Sequence, residues 1–500
     1  MPAREILRKM TLRAGLTLYA LATVFLTCVT AWAAGITVNS GTSLNVEDNQ
    51  LNVAGDVTLA GSLSTTTGAI TLDGSWTTQG AAVYQAGSGT VRLTGAAAGP
   101  DQVITPGTAA GDGFYHLVHS GTSTARLSTH LARIYGDFTN SAGTFDANSI
   151  DMAVYGNWNN TAAFAAGTGS VDLVGTDQAI YGSTTFYDLS KQLTSPVSRQ
   201  LTFQNTVEQN VAHSLTLTGY DASIYLVLRS DLDGTAARLT LDKAGVQNIR
   251  YVDVKDNNAS GYANGTPYVT PAGMTLVGRS SPDHETGWNN TNWLFNGVEI
   301  KWDGSNCTEP STCLWNDPYN WNLGMVPGDG DTAVIRSVDE DNGNAPIPFQ
   351  PVLTTDVQVA NLEIRSGASL TMDQHNLTVD SALTHSGNLI LDGNETVTAA
   401  TLANNGTVTF IGSQSGALNA DMTTRLVIGG VNQTAFYNLV INEDPAITMH
   451  GTFITTAAIT VAHDLSVAAG NTIPGGAVTV THATSIYGGT LDLSPNAAAL

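Results

Sequence analysis

Gly156-Asn157-Trp158-Asn159, then Gly167-Thr168-Gly169-Ser170-Val171-Asp172-Leu173, then Phe186-Tyr187-Asp188-Leu189 form a phrase that this 500-residue chain uses more than once. It occurs earlier as Gly74-Ser75-Trp76-Thr77, Gly87-Ser88-Gly89-Thr90-Val91-Arg92-Leu93 and Phe114-Tyr115-His116-Leu117. A looser copy runs from Gly406-Thr407-Val408-Thr409-Phe410 to Phe436-Tyr437-Asn438-Leu439. Such self-similarity marks a repeat architecture, in which a unit buries its apolar face only by stacking on its neighbours. The glycines of Tyr135-Gly136-Asp137-Phe138 and Tyr155-Gly156-Asn157-Trp158 recur at a spacing close to one turn of a parallel β-helix built from short strands and bends. The expected fold is therefore all-β, a parallel β-helix (β-solenoid) in two stacked regions.

The composition agrees. Only 12% of residues are charged, Gly reaches 51, and Thr, Ser, Asn and Val recur in short alternating runs such as Val57-Thr58-Leu59 and Ile70-Thr71-Leu72. That alphabet suits strands joined by tight turns, and uncharged polar residues stack on like neighbours without repulsion. A highly charged disordered chain or a helical alphabet is excluded.

The N-terminus points to export. Arg4, Arg8, Lys9 and Arg13 precede an apolar stretch from Ala14 to about Val29, followed by the small-x-small site Ala31-Trp32-Ala33. This is the tripartite pattern of a secretory signal over residues 1 to 33, with a mature chain beginning near Ala34. An uncleaved membrane anchor is the alternative, since the stretch approaches spanning length, but the cleavage site follows at once. No later apolar run is long enough to cross a membrane, so no span is expected after cleavage. Beyond residue 33 stand 15 Lys and Arg against 41 Asp and Glu, a net charge of −26. Such a surface repels nucleic acid and anionic lipid.

Cys307 and Cys313 bracket Thr308-Glu309-Pro310-Ser311-Thr312. In an oxidising compartment they are expected to close a local disulfide loop; a zinc site would need further ligands at metal spacing, and none lie nearby.

The chain divides into solenoid repeats over 34 to 218, a distinct module over 219 to 298 that closes the first solenoid, and a second solenoid over 299 to 500. The middle region carries Leu226-Val227-Leu228-Arg229-Ser230, Gly234-Thr235, Tyr251-Val252-Asp253-Val254-Lys255-Asp256-Asn257-Asn258-Ala259 and Asn289-Asn290-Thr291-Asn292-Trp293-Leu294-Phe295. It resembles a module recurrent in large exported bacterial repeat proteins. The third region opens with Trp315-Asn316-Asp317-Pro318-Tyr319-Asn320-Trp321 and Val326-Pro327-Gly328-Asp329-Gly330-Asp331, and is similar to the start of β-helical stretches in bacterial surface and autotransporter-passenger-like proteins. The resemblance implies β-solenoid architecture, a secreted or cell-surface setting and an adhesin-like role with glycans or host surface proteins as partners. It implies no reaction. Strand pattern still runs at Leu500, which leaves open whether the chain is a fragment.

Candidate chemistry is sparse. A carbohydrate-active β-helix enzyme is the rival reading, with Asp329 and Asp331, or Asp253 and Asp256, as carboxylate pairs; acids beside Gly and Asn are more often turn residues. The scattered histidines give no nucleophile arrangement. Calcium enters through Asp231-Leu232-Asp233-Gly234 and Asp339-Glu340-Asp341-Asn342-Gly343, where Asp231, Asp233, Asp339 and Asp341 set oxygen donors at alternate positions, although neither completes an EF-hand and an acidic turn is the first expectation. Five of the eight tryptophans cluster between Trp288 and Trp321. Trp288, Trp293, Trp315 and Trp321 are expected chiefly to cover the joint between solenoid regions, with stacking on glycans, in a calcium-stabilised module, as the alternative.

Overall fold

The computed structural model describes residues 16 to 493 apart from 19 to 22, 26 to 29, 98, 110, 261, 264 to 265, 268 to 272, 283 to 286, 413 to 418 and 444 to 451. Among these residues there is no α-helix, only β-strands and four 3₁₀ turns. Nearly every strand pairing is parallel, each strand with one from the next coil, which makes the chain a parallel β-helix. It forms two compact units, Met1–Phe295 and Asn296–Leu500.

In the first unit one coil contributes three short strands, as Ile36–Val38, Ser43–Glu47 and Gln50–Val53 do. Each enters a different sheet. Side chains alternate between the interior and solvent along most strands, as in Ile36–Val38 and Ser43–Glu47, so equivalent inward positions form columns. One column runs Leu51, Ile70, Val91, Leu117, Phe138, Trp158, Ile180 and Phe203, each residue in register with the next. All eight are buried. Each contributes roughly 1.5–3 kcal/mol relative to exposure, and the contact exists only because the next coil supplies it.

The repeated phrase is thus explained residue by residue. A Cβ at Gly156 would fall 2.4 Å from the backbone carbon of Gly136 on the preceding coil, so the corner admits only glycine. Gly167 turns at φ +61°, the left-handed region that glycine enters freely. The aromatic that follows the polar residue points inward, as Trp76 and Trp158 do. The Gly-x-Gly-x-Val run and Phe-Tyr-x-Leu are consecutive coils of one sheet: Val91 pairs with Leu117, Val171 with Leu189, and Val408 with Leu439. Coil length varies, since Phe138 finds its next register partner at Trp158 whereas Trp76, paired with Val57 on the preceding coil, finds its next one at Ile104, a longer step along the chain.

The segment read as a secretory signal also carries strands. Leu16–Leu18, Thr23–Phe25 and Thr30–Ala33 are strands in parallel register with Ile36–Val38, Ser43–Glu47 and Gln50–Val53. Each of these steps equals the step from Phe138 to Trp158, so the leader carries the coil period of the body. Arg4, Arg8, Lys9 and Arg13 lie outside the described residues. No helix among the described residues is long and apolar enough to cross a membrane.

The second unit repeats the plan. Ser369–Thr371, Asn388–Leu391, Thr407–Phe410, Asn438–Asn442, Asp464–Ala469 and Ala483–Ile486 form one six-stranded sheet. Its inward column is Leu370, Leu389, Val408, Leu439 and Leu465.

Candidate functional site

Where a coil turns a corner, its first backbone N–H has no strand partner and needs an acceptor. The polar residue of the preceding coil supplies it. Asp137 N–H donates to His116 Nδ1 at 2.9 Å, Asn157 N–H to Asp137 Oδ1 at 2.7 Å, and Ala179 N–H to Asn157 Oδ1 at 2.8 Å. The second unit has the same device: Asn376 N–H donates to Asp356 Oδ1 at 2.8 Å and Thr396 N–H to Asn376 Oδ1 at 2.9 Å. These corner acids and amides hold one coil to the next.

Beside this polar ladder runs an aromatic one. Tyr135 N–H donates to Phe114 O and Tyr155 N–H to Ile134 O, which places the two tyrosines one coil apart. Their rings lie 5.3 Å apart and Tyr155 is 42% exposed.

The Phe-Tyr-x-Leu phrase adds histidine to the pattern. His213 stacks on Tyr187 at 4.5 Å and its Nδ1 lies 2.7 Å from Asp188 Oδ1. In the second unit Tyr437 stacks on His463 at 5.4 Å, and His463 stacks on His482 of the next coil at 4.4 Å. Asp464 lies between the two imidazoles: Oδ2 is 3.0 Å from His463 Nδ1 and Oδ1 is 2.5 Å from His482 Nδ1. The His482 hydrogen bond holds the Asp464 carboxyl below its ordinary range. Asn438, the x of the phrase, accepts the Asp464 backbone N–H at 3.1 Å and fixes that coil. One donor atom from each of His463, Asp464 and His482 lies within 4.8 Å of the others, the sole such trio of His, Cys, Asp or Glu found among the described residues.

The residues singled out from sequence fare differently. Asp231 Oδ1 accepts Asn205 N–H at 2.8 Å, while Asp233 pairs with Lys255. Asp339 and Asp341 both face the buried Arg336, at 2.7 and 2.8 Å, and Lys301 adds a second cation near Asp341. Asp233, Asp339 and Asp341 thus serve as ion-pair partners and Asp231 as a coil cap. Asp253 binds Arg229, whereas Asp256 is buried and accepts from Gly234 N–H and Asn289. Asp331 is buried against Gly328 N–H while Asp329 is exposed.

Trp293, Trp315 and Trp321 are only 5%, 1% and 2% exposed, which leaves no ring face for a sugar. Trp293 packs on Phe295 in the first unit and donates to Asn257 Oδ1 at 2.9 Å. In the second unit Trp321 lies edge-on to Trp302 and Trp315 and donates to Trp315 O at 2.8 Å. Trp288 alone of the four is partly exposed, with the Arg229 guanidinium 6.0 Å from its ring centre. Cys307 and Cys313 are placed as a disulfide pair with Cα atoms 4.9 Å apart.

Three buried titratable sites had no sequence signal. Lys191 donates to Gly175 O, Thr176 O and Gln178 Oε1, and burial pulls its ammonium down to about 8. Burial pulls the His385 imidazole down to about 4. Asp392 and Glu395 share a turn, where burial, then the neighbouring Glu395, pushes the Asp392 carboxyl up to about 7. Both acids are shielded from solvent, so they are out of reach of a polysaccharide.

No family model, curated protein or solved structure matches this chain.

Proposed function

We propose that the chain is an exported bacterial cell-surface or extracellular scaffold of adhesin type, without catalytic activity of its own. The observation that carries this reading is the commitment of the corner acids and amides to coil-to-coil hydrogen bonds. Polar side chains spent in this way hold a long surface in shape and are not free to exchange protons with a substrate. Export rests on the tripartite N-terminal pattern, and the acidic surface argues against nucleic acid as partner. Contact with glycans or cell-surface proteins then falls to the corner where Tyr135 and Tyr155 set neighbouring rings, in place of the buried tryptophans.

The test is expression of the full chain in a bacterial host, followed by fractionation, N-terminal sequencing and assays of the purified protein on immobilised neutral glycans. The expected outcome is protein outside the cytoplasm starting near Ala34, glycan retention reduced by Tyr155→Ala, and no release of reducing sugar. Retention in the cytoplasm with an intact N-terminus, or sugar release abolished by an Asp→Asn change, overturns the reading.

A further inference from the structure

We propose that His463, Asp464 and His482 form a divalent transition-metal site of the Zn²⁺ class on the outer face of the second unit. The inference is independent of the scaffold reading, since it rests only on donor chemistry and geometry. Two imidazoles come from successive coils of one column, tied by the backbone bond from His482 N–H to His463 O at 3.2 Å. Their stacking at 4.4 Å and 20° turns both Nδ1 atoms toward the same carboxylate. His463 Nδ1 is shielded from solvent and makes no hydrogen bond, although Asp464 Oδ2 is 3.0 Å away. A buried ring nitrogen without a hydrogen-bond partner, set beside a carboxylate, is an arrangement that a cation resolves.

Metal–nitrogen and metal–oxygen bonds of about 2.0–2.2 Å in a tetrahedron set donor atoms about 3.3 Å apart. The present separations of 3.0 and 2.5 Å need to open by less than about 1 Å, which two side chains on partly exposed coils accommodate. Two nitrogen donors with one carboxylate favour Zn²⁺, Co²⁺, Ni²⁺ or Cu²⁺ over Ca²⁺ or Mg²⁺, which take oxygen ligands. The fourth position faces solvent and is open to water or to a donor from another molecule. Tyr437 packs behind His463 and Asn438 fixes the Asp464 backbone, the kind of supporting contacts that orient ligands. The net charge of −23 draws cations toward the surface. The Asp188 and His213 pair in the first unit has the same Tyr-stacked geometry and provides an internal control, because the described residues place no third ligand beside it.

The experiment is titration of the full chain, purified without a polyhistidine tag, with Co²⁺ followed by visible absorption, and with Zn²⁺ by calorimetry. One Co²⁺ per chain with a tetrahedral spectrum is expected, displaced by Zn²⁺ and not by Ca²⁺. His463→Ala, Asp464→Asn and His482→Ala are each expected to weaken binding at least about tenfold, and His213→Ala to leave it unchanged. His482→Gln, which retains side-chain bulk, replaces the alanine variant if that one alters the melting profile. Absence of saturable binding, or binding that survives all three substitutions, overturns the proposal.

Discussion

The buried ionisable residues make the clearest test at the scale of single side chains. The ordinary carboxyl of Asp392 titrates near 3.8, but in the folded second unit it is pushed up to about 7 by burial. Its contribution to stability is therefore full at acid pH and is lost as pH rises through about 7. His385 runs the other way: pulled from 6.5 down to about 4 by burial, its contribution is present above its ordinary value and is lost as pH falls through about 4. The two shifts act in opposite senses between pH 4 and 7. Replacing one exposes the other. Relative to the unsubstituted chain, His385→Gln is expected to gain stability on acidification from pH 7 to 5, and Asp392→Asn to lose it. Denaturant melts at a series of pH values measure this, and three parallel profiles would contradict it. None of this was legible in the sequence, because a lone Asp or His among Gly, Thr and Leu carries no mark of which way it faces. Arg336 is the instructive intermediate: it stands just ahead of Asp339 in the chain, and the ion pair between them was within local reach.

At the scale of the coil, the inward columns were readable and the ladders between coils were not. Apolar residues and glycine recur in the chain at the coil period, so Val91, Trp158 and their neighbours announce the interior. Hydrogen bonds such as Asp137 to His116 or Asn157 to Asp137 join residues about one coil apart, and that register exists only once the coils stack. Coil insertions such as the longer step from Trp76 to Ile104 blur it further. The interior has a polar ladder of its own. His119 Nδ1 lies 2.8 Å from Asn140 Oδ1, Asn140 Nδ2 donates to Asn160 Oδ1 at 2.8 Å, and Asn160 Nδ2 donates to Thr184 Oγ1 at 3.0 Å. All four side chains are buried, so each bond also removes a desolvation penalty. Asn140→Ala breaks two links at once and leaves His119 Nδ1 and Asn160 Oδ1 without these partners. A loss of about 2 to 6 kcal/mol is expected, at one to three for each stranded group. Equilibrium unfolding measures it, and a loss below about 0.5 kcal/mol would show the ladder to be dispensable.

At the scale of the molecule, the fold rests on one relation: residues about one coil apart are strand neighbours. Most elements of the repeated glycine–polar–aromatic phrase follow from it, since the glycine admits the adjacent coil, the polar residue caps it and the aromatic packs on it. The reading of function depends on the same relation, because a surface with fixed periodic corners is what a scaffold requires. The tryptophans show where sequence falls short: their clustering was evident, but the near-complete burial of Trp293, Trp315 and Trp321 was not. The most direct measurement is dipolar broadening between nitroxide labels at Thr139→Cys and Asn159→Cys in a Cys28→Ser background. These outward positions are direct partners in parallel register, so their backbones are expected to lie about 4.8 Å apart, with strong broadening in the doubly labelled chain. Narrow lines equal to the sum of the two singly labelled spectra would contradict the parallel β-helix.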